Sequence, residues 1–114
     1  MIPKLNRFHG HNALNTVYRQ GKAVRSDYIS LRYSPSRHRD YRLAVVVSRK
    51  VSKSAVVRNR IRRRIYEIVR LNRKTLEEPL RYDLVISVFD DRAAKVPAAD
   101  LAGTLQHMLQ KIER

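Results

Sequence analysis

Apolar residues along this chain follow two rhythms, and the switch from one to the other divides it into elements. In "KAVRS" (22–26) and "YISLRY" (28–33) they alternate with polar residues, the period of a strand with one buried face. The second stretch puts Ile29, Leu31 and Tyr33 on one face and Tyr28, Ser30 and Arg32 on the other. "YRLAVVVS" (41–48) is apolar on both faces, with Leu43, Val45 and Val47 backed by Ala44 and Val46, which predicts a central strand. The run from Tyr82 to Phe89 is equally continuous and predicts a strand in the sheet interior.

Helical spacing occurs in three other places. A first helix is expected from Asn12, a good N-cap, to just before Gly21, with Leu14, Val17 and Tyr18 turned inward. A long helix is expected from Ser54 to Leu71, where Val57, Ile61, Ile65 and Ile68 form one stripe. A last helix begins near Pro97, which a first turn tolerates, and carries Leu101, Leu105, Met108, Leu109 and Ile112. "SPSRHRD" (34–40) reads as a turn or exposed loop, and Pro79 breaks the chain before the last strand. Helix, strands, long helix, strand, helix is the order of an α+β fold, helices layered on one small sheet. The 114 residues suit a single domain, 1–114, large enough to bury a core without disulfides or a structural metal.

Charge changes this picture most. The formal net charge is +15, and residues 1–66 supply all of it, with 17 Lys/Arg against Asp27 and Asp40, while 67–114 hold 8 of each sign. Solubility needs much less, so a surface facing a polyanion is expected. The surplus is densest from Arg49 to Arg64, which contains eight Lys/Arg and no acid. With Ile61 at the centre of the long helix's stripe, Arg58 and Arg64 fall on its borders, Arg60 and Arg62 on the flanks and Arg63 nearly opposite. An ordinary solvated face would mix both signs. Arginine, whose planar fork grips phosphate and stacks on bases, points to nucleic acid rather than to an acidic protein.

Other chemistry is thin. The chain has no cysteine, which removes disulfide, thiolate-zinc and cysteine redox chemistry and fits the reducing cytoplasm. No secretory signal pattern opens the sequence, and no apolar run nears the roughly 18 residues that span a bilayer, so no membrane is expected. His9 and His11 lack a third ligand nearby, and His38 lies in the basic loop. Asp90 and Asp91, ending a strand, suit a turn or helix cap better than a metal site. Tyr18, Tyr28 and Tyr33 can stack on bases, although aromatics at such spacings more often belong to a core. No phosphate loop or catalytic triad is present, so no catalytic residue and no metal ligand is assigned to this chain.

The stretch "SRKVSKSAVVRNRIRRRIYE" (48–67) resembles the signature of the bacterial ribonuclease P protein subunit, through Arg49 and Lys50, then Arg58, Asn59 and Arg60, then Arg62, Arg63 and Glu67. The likeness extends over the order of elements, Gly21 after the first helix and "RYDLVI" (81–86). It implies a left-handed βαβ crossover, against the usual hand. It implies a non-catalytic subunit that binds ribonuclease P RNA and the 5′ leader of precursor tRNA. The complex would remove that leader by Mg²⁺-dependent hydrolysis, the RNA holding the metal. By the family pattern, Arg49, Lys50, Lys53, Arg58, Asn59, Arg60, Arg62 and Arg63 contact the RNA subunit. The leader lies in a cleft between the first helix and the sheet, at positions that fall here on Leu14, Tyr18 and Arg32. The family commonly fills these with aromatics, and only Tyr18 is aromatic in this chain. The crossover glycine is replaced within "VSKSA", and the N-terminal arm offers only Lys4 and Arg7. A structural, ribosomal-type RNA-binding protein would share the charge without a role in cleavage. A DNA-binding regulator would need two helices joined by a short turn, which strands on both sides of the basic helix oppose.

Overall fold

The computed structural model describes Val17 and residues 21–35, 41–74 and 82–112. Strands β1 (Lys22–Arg25), β2 (Ile29–Pro35) and β3 (Arg42–Val47) precede the long helix α1 (Ala55–Lys74). Strand β4 (Tyr82–Val88), a short helix α2 (Arg92–Lys95) and helix α3 (Ala98–Gln110) follow. The four strands form one sheet in the order β1-β2-β4-β3, antiparallel except for the parallel pair of β3 and β4, which α1 connects. This is the mixed α+β class that the order of elements predicts. The loop expected at 34–40 is overturned at its start, where Ser34 and Pro35 extend β2 by pairing with Asp83 and Tyr82; residues 36–40, the break at Pro79 and most of the first helix lie outside the described residues.

Register explains the core. Val47, Val88 and Ile29 lie side by side across three strands, as do Val45, Ile86 and Leu31, and then Leu43, Leu84 and Tyr33. All nine are buried and belong to one cluster with Ile61, Ile65 and Val69 of α1 and Leu101, Leu105, Met108 and Leu109 of α3. Full burial of each such side chain is worth about 1.5–3 kcal/mol, so the helix layer is held by this apolar contact and not by its charged surface.

Three other expectations need correction. Strand β3 is an edge strand, not a central one. Its apolarity on both faces reflects layers above and below: Leu43, Val45 and Val47 face α1's side, and Ala44 packs with Val17 and Val85 on the other. The stripe of α1 runs through Ile61, Ile65 and Val69, with Val57 and Ile68 only partly buried, and the helix continues to Lys74. Tyr28 does not share the Ser30 and Arg32 face. It sits in the bend before β2, buried, and its hydroxyl donates to Thr104 Oγ1 of α3 at 3.3 Å. Helix α2 was not anticipated, because four residues carry no legible period.

Val17 is helical and buried, and its carbonyl accepts the Gly21 N–H at 2.7 Å, as at a helix end. A Cβ on Gly21 would lie 2.4 Å from that oxygen and 2.7 Å from the Tyr33 carbonyl oxygen. Glycine is needed there because helix end and sheet approach too closely for any side chain.

Candidate nucleic-acid interface

The stretch from Ser48 to Ser54 links β3 to α1 and starts the basic surface. The Val51 N–H donates to the Ser48 carbonyl at 3.1 Å, and the Val51 side chain packs against the core. This anchor leaves Arg49, Lys50 and Lys53 exposed. Ser54 caps α1: its hydroxyl accepts the Val57 N–H at 3.3 Å and its carbonyl accepts the Arg58 N–H at 3.1 Å. No acid occupies the first turn of α1, so the positive end of the helix dipole adds to the side-chain charge.

The arginines of α1 divide into two groups. Arg58 donates to the Ser52 carbonyl at 2.9 Å and braces the linking loop. Arg62 donates to Asn59 Oδ1 at 2.8 Å and reaches the Val47 carbonyl at 3.4 Å, so Asn59 orients it. Arg64 donates to the carbonyls of Ala93 at 2.8 Å and Val96 at 2.6 Å, tying α1 to the corner between α2 and α3. Arg60 and Arg63 are exposed, and like Arg49, Lys50 and Lys53 they have no hydrogen-bond or ion-pair partner among the described residues. The first acid, Glu67, pairs with Arg70 one turn on, and that hydrogen bond holds its carboxyl down to about 2. The basic surface therefore ends where the chain begins to neutralise itself.

The sheet's other face is covered at Ser34, Ala44 and Val85 and opens to solvent toward Ala23, Arg25 and Val46. Along it run Arg42, Asp83 and Ser34, then Ala44, Val85, Arg32 and Ala23, then Val46, Ser87, Ser30 and Arg25. Arg32 thus lies beside Val85, which packs with Val17 of the first helix. Leu14 and Tyr18, the other two expected cleft residues, lie outside the described residues, as do Lys4, Arg7, His9, His11 and His38. Tyr28 and Tyr33 are core residues, Tyr33 lying edge-on to Tyr82 with ring centroids 5.7 Å apart.

The structure does not bring the remaining candidates into a catalytic group. Asp90 accepts the Arg92 N–H at 3.0 Å and pairs with its guanidinium at 3.3 Å, contacts that keep its carboxyl below the usual range. Asp91 pairs with Lys95 at 3.1 Å. Among the described residues no group of three or more His, Asp or Glu side chains can hold a metal, and no helix is long and apolar enough to cross a membrane. Sequence reasoning passed over Arg64 as a tie between helices, and Phe89, whose ring stands exposed at the end of β4 with the Arg25 guanidinium 5.1 Å from its centroid.

Known proteins resemble this chain in sequence and in fold. The family model described as Ribonuclease P matches residues 2–113. A ribonuclease P protein component from Pseudanabaena sp. is 32% identical over 112 residues, covering 97% of this chain and 94% of its own. One from Clostridium botulinum is 36% identical over 113 residues, with 95% of each chain covered. Among solved structures, the Thermotoga maritima RNase P protein superposes with a TM-score of 0.81 at 22% identity over 95% of this chain and 98% of its own. The Staphylococcus aureus protein gives 0.79 at 22% over 92% and 93%. The two structures support the fold.

Proposed function

This chain belongs to the ribonuclease P protein family, and from that premise we propose how its two surfaces divide the work. It is the protein component of the endoribonuclease ribonuclease P, which implies an RNA partner. In our reading the loop 48–54 and the outer side of α1 bind ribonuclease P RNA through Arg49, Lys50, Lys53, Arg58, Asn59, Arg60, Arg62 and Arg63. The open face of the sheet, with Leu14, Tyr18 and Arg32, holds the 5′ leader of precursor tRNA. One observation carries the reading: five cations, Arg49, Lys50, Lys53, Arg60 and Arg63, stand exposed without a partner among the described residues, on a segment whose opposite side is core. Holding such charge together is unfavourable until phosphates neutralise it.

Among the described residues no cluster of acids or histidines could hold a metal, and Asp90 and Asp91 are each paired to a cation on α2. In this reading Mg²⁺ would be held mainly by the RNA subunit, where it would supply activated water for hydrolysis. The protein's part is electrostatic and positional. Its cations lower the repulsion between two RNAs, and its open face restrains a flexible strand, so substrate binds at lower ionic cost. This work is done in the cytoplasm, where the chain acts as one RNA-binding domain.

The test is reconstitution with ribonuclease P RNA and precursor tRNA at low Mg²⁺. Added protein should stimulate release of the leader, and Arg58, Arg62 and Arg63 replaced together by alanine should weaken assembly with the RNA. A polypeptide that cleaved alone, or gave no stimulation, would overturn the reading.

A further inference from the structure

Phe89 continues the open face of the sheet past the end of β4. Residues 83, 85 and 87 lie on that face in register with Ser34, Arg32 and Ser30, and the Phe89 N–H still donates to the Tyr28 carbonyl at 3.1 Å. Phe89 is 44% exposed, whereas Tyr28, Tyr33 and Tyr41 are all below 9%. A single surface phenylalanine is ordinary on its own. This one has company suited to a nucleic acid. The Arg25 guanidinium lies over its ring, and Arg25 also lines a groove of about 470 Å³ beside α3 with His107 and Lys111, where Asp27 is the one lining acid. The acids that follow the ring, Asp90 and Asp91, are neutralised by Arg92 and Lys95.

We propose that Phe89 and Arg25 together form a base-stacking platform for a distal nucleotide of the single-stranded leader. The inference rests on the reading of the open face as the leader's path. It assigns to this chain an aromatic surface that the Arg32 position does not supply. Every base has a face that stacks without regard to sequence, and a guanidinium over the ring adds both a second stacking plane and a charge for the adjoining phosphate. An acidic peptide would be drawn by the charge but gains nothing from an aromatic plane. From Val85, beside Arg32, to Phe89 is four residues of extended chain, roughly 13 Å. Only a leader that reaches beyond Arg32 meets the platform.

The experiment measures precursor tRNA affinity for the reconstituted holoenzyme with a long leader and with one truncated to the nucleotides beside the cleavage point. For Phe89→Ala and Phe89→Leu the advantage of the long leader should fall roughly 5- to 150-fold, the effect of losing one stacked base. Phe89→Tyr should keep it. Because leucine preserves the apolar bulk, equal loss in the alanine and leucine variants separates stacking from packing. An intact advantage in both, or a tyrosine variant as weak as alanine, overturns the platform. If the natural protein itself shows no preference for the long leader, the leader path fails and the platform with it. If that preference exists and ignores residue 89, the path stands and the platform alone is lost.

Discussion

Arg42 and Asp83 are register partners across the parallel β3–β4 pair, joined by two hydrogen bonds, Nε to Oδ1 and Nη2 to Oδ2, each 2.8 Å long. Their side chains are 24% and 14% exposed, and the bidentate contact raises the Arg42 pKa further above its usual value. This arginine of the basic half is committed to the fold, where it fastens an edge strand to the sheet centre. Asp83→Asn should lower unfolding free energy by about 1–3 kcal/mol, read as a lower urea midpoint. Adding Arg42→Met should recover part of the loss, because the uncompensated cation is removed as well. A midpoint that does not move in the single variant contradicts this role.

Arg63 and Arg64 are neighbours in sequence with opposite employment. Arg64→Met should destabilise the protein by about 1–3 kcal/mol, since two charge-assisted bonds to backbone carbonyls disappear. Arg63→Ala should leave the melting temperature within error and reduce the salt dependence of RNA binding, each lost phosphate contact lowering the logarithmic slope by about 0.7–0.9. Thermal melts and salt titrations of both variants decide the matter, and exchanged phenotypes would refute the division.

Glu67 supplies a pH dependence of known sign. Its carboxyl is depressed to about 2 in the folded protein, chiefly by the Arg70 hydrogen bond, against an ordinary 4.5. A depressed acid stabilises the fold above its unfolded pKa and loses that contribution as pH falls through the folded one. The melting temperatures of the natural protein and Glu67→Gln should therefore differ at neutral pH and converge between about pH 4.5 and 2. Curves that stay parallel through this window would rule out the linkage.

Gly21→Ala should be costly even though it adds one methyl group. The added carbon meets two backbone oxygens, which cannot move aside as a flexible side chain can. About 1–3 kcal/mol of destabilisation is expected, and a denaturation curve matching the natural protein's would show that the helix end and β2 can separate without penalty.

Much of this was legible in the sequence because burial on a regular element leaves a period. The alternation at 29–33, the four-residue steps of Ile61 and Ile65 and the stripe of α3 all map to the core as expected. Strand order left no such trace. Double-sided burial of β3 looks the same whether neighbours flank its edges or layers cover its faces, so the edge position emerged only from the pairing. At the interface, composition located the basic segment but did not sort its members. Arg58, Arg62 and Arg64 bond to carbonyls supplied by Ser52, Val47, Ala93 and Val96, and a carbonyl is present at every position of any sequence. The Arg25–Phe89 pair joins residues 64 positions apart, beyond the reach of any local spacing.

Strand β4 is the last strand in the chain, yet it lies between β2 and β3, which do not pair with each other. During synthesis, therefore, the hairpin and the crossover remain two unattached pieces until residues 82–88 leave the ribosome and insert between them. A prematurely terminated product would carry its arginines on a helix without a sheet beneath it and would be open to proteases.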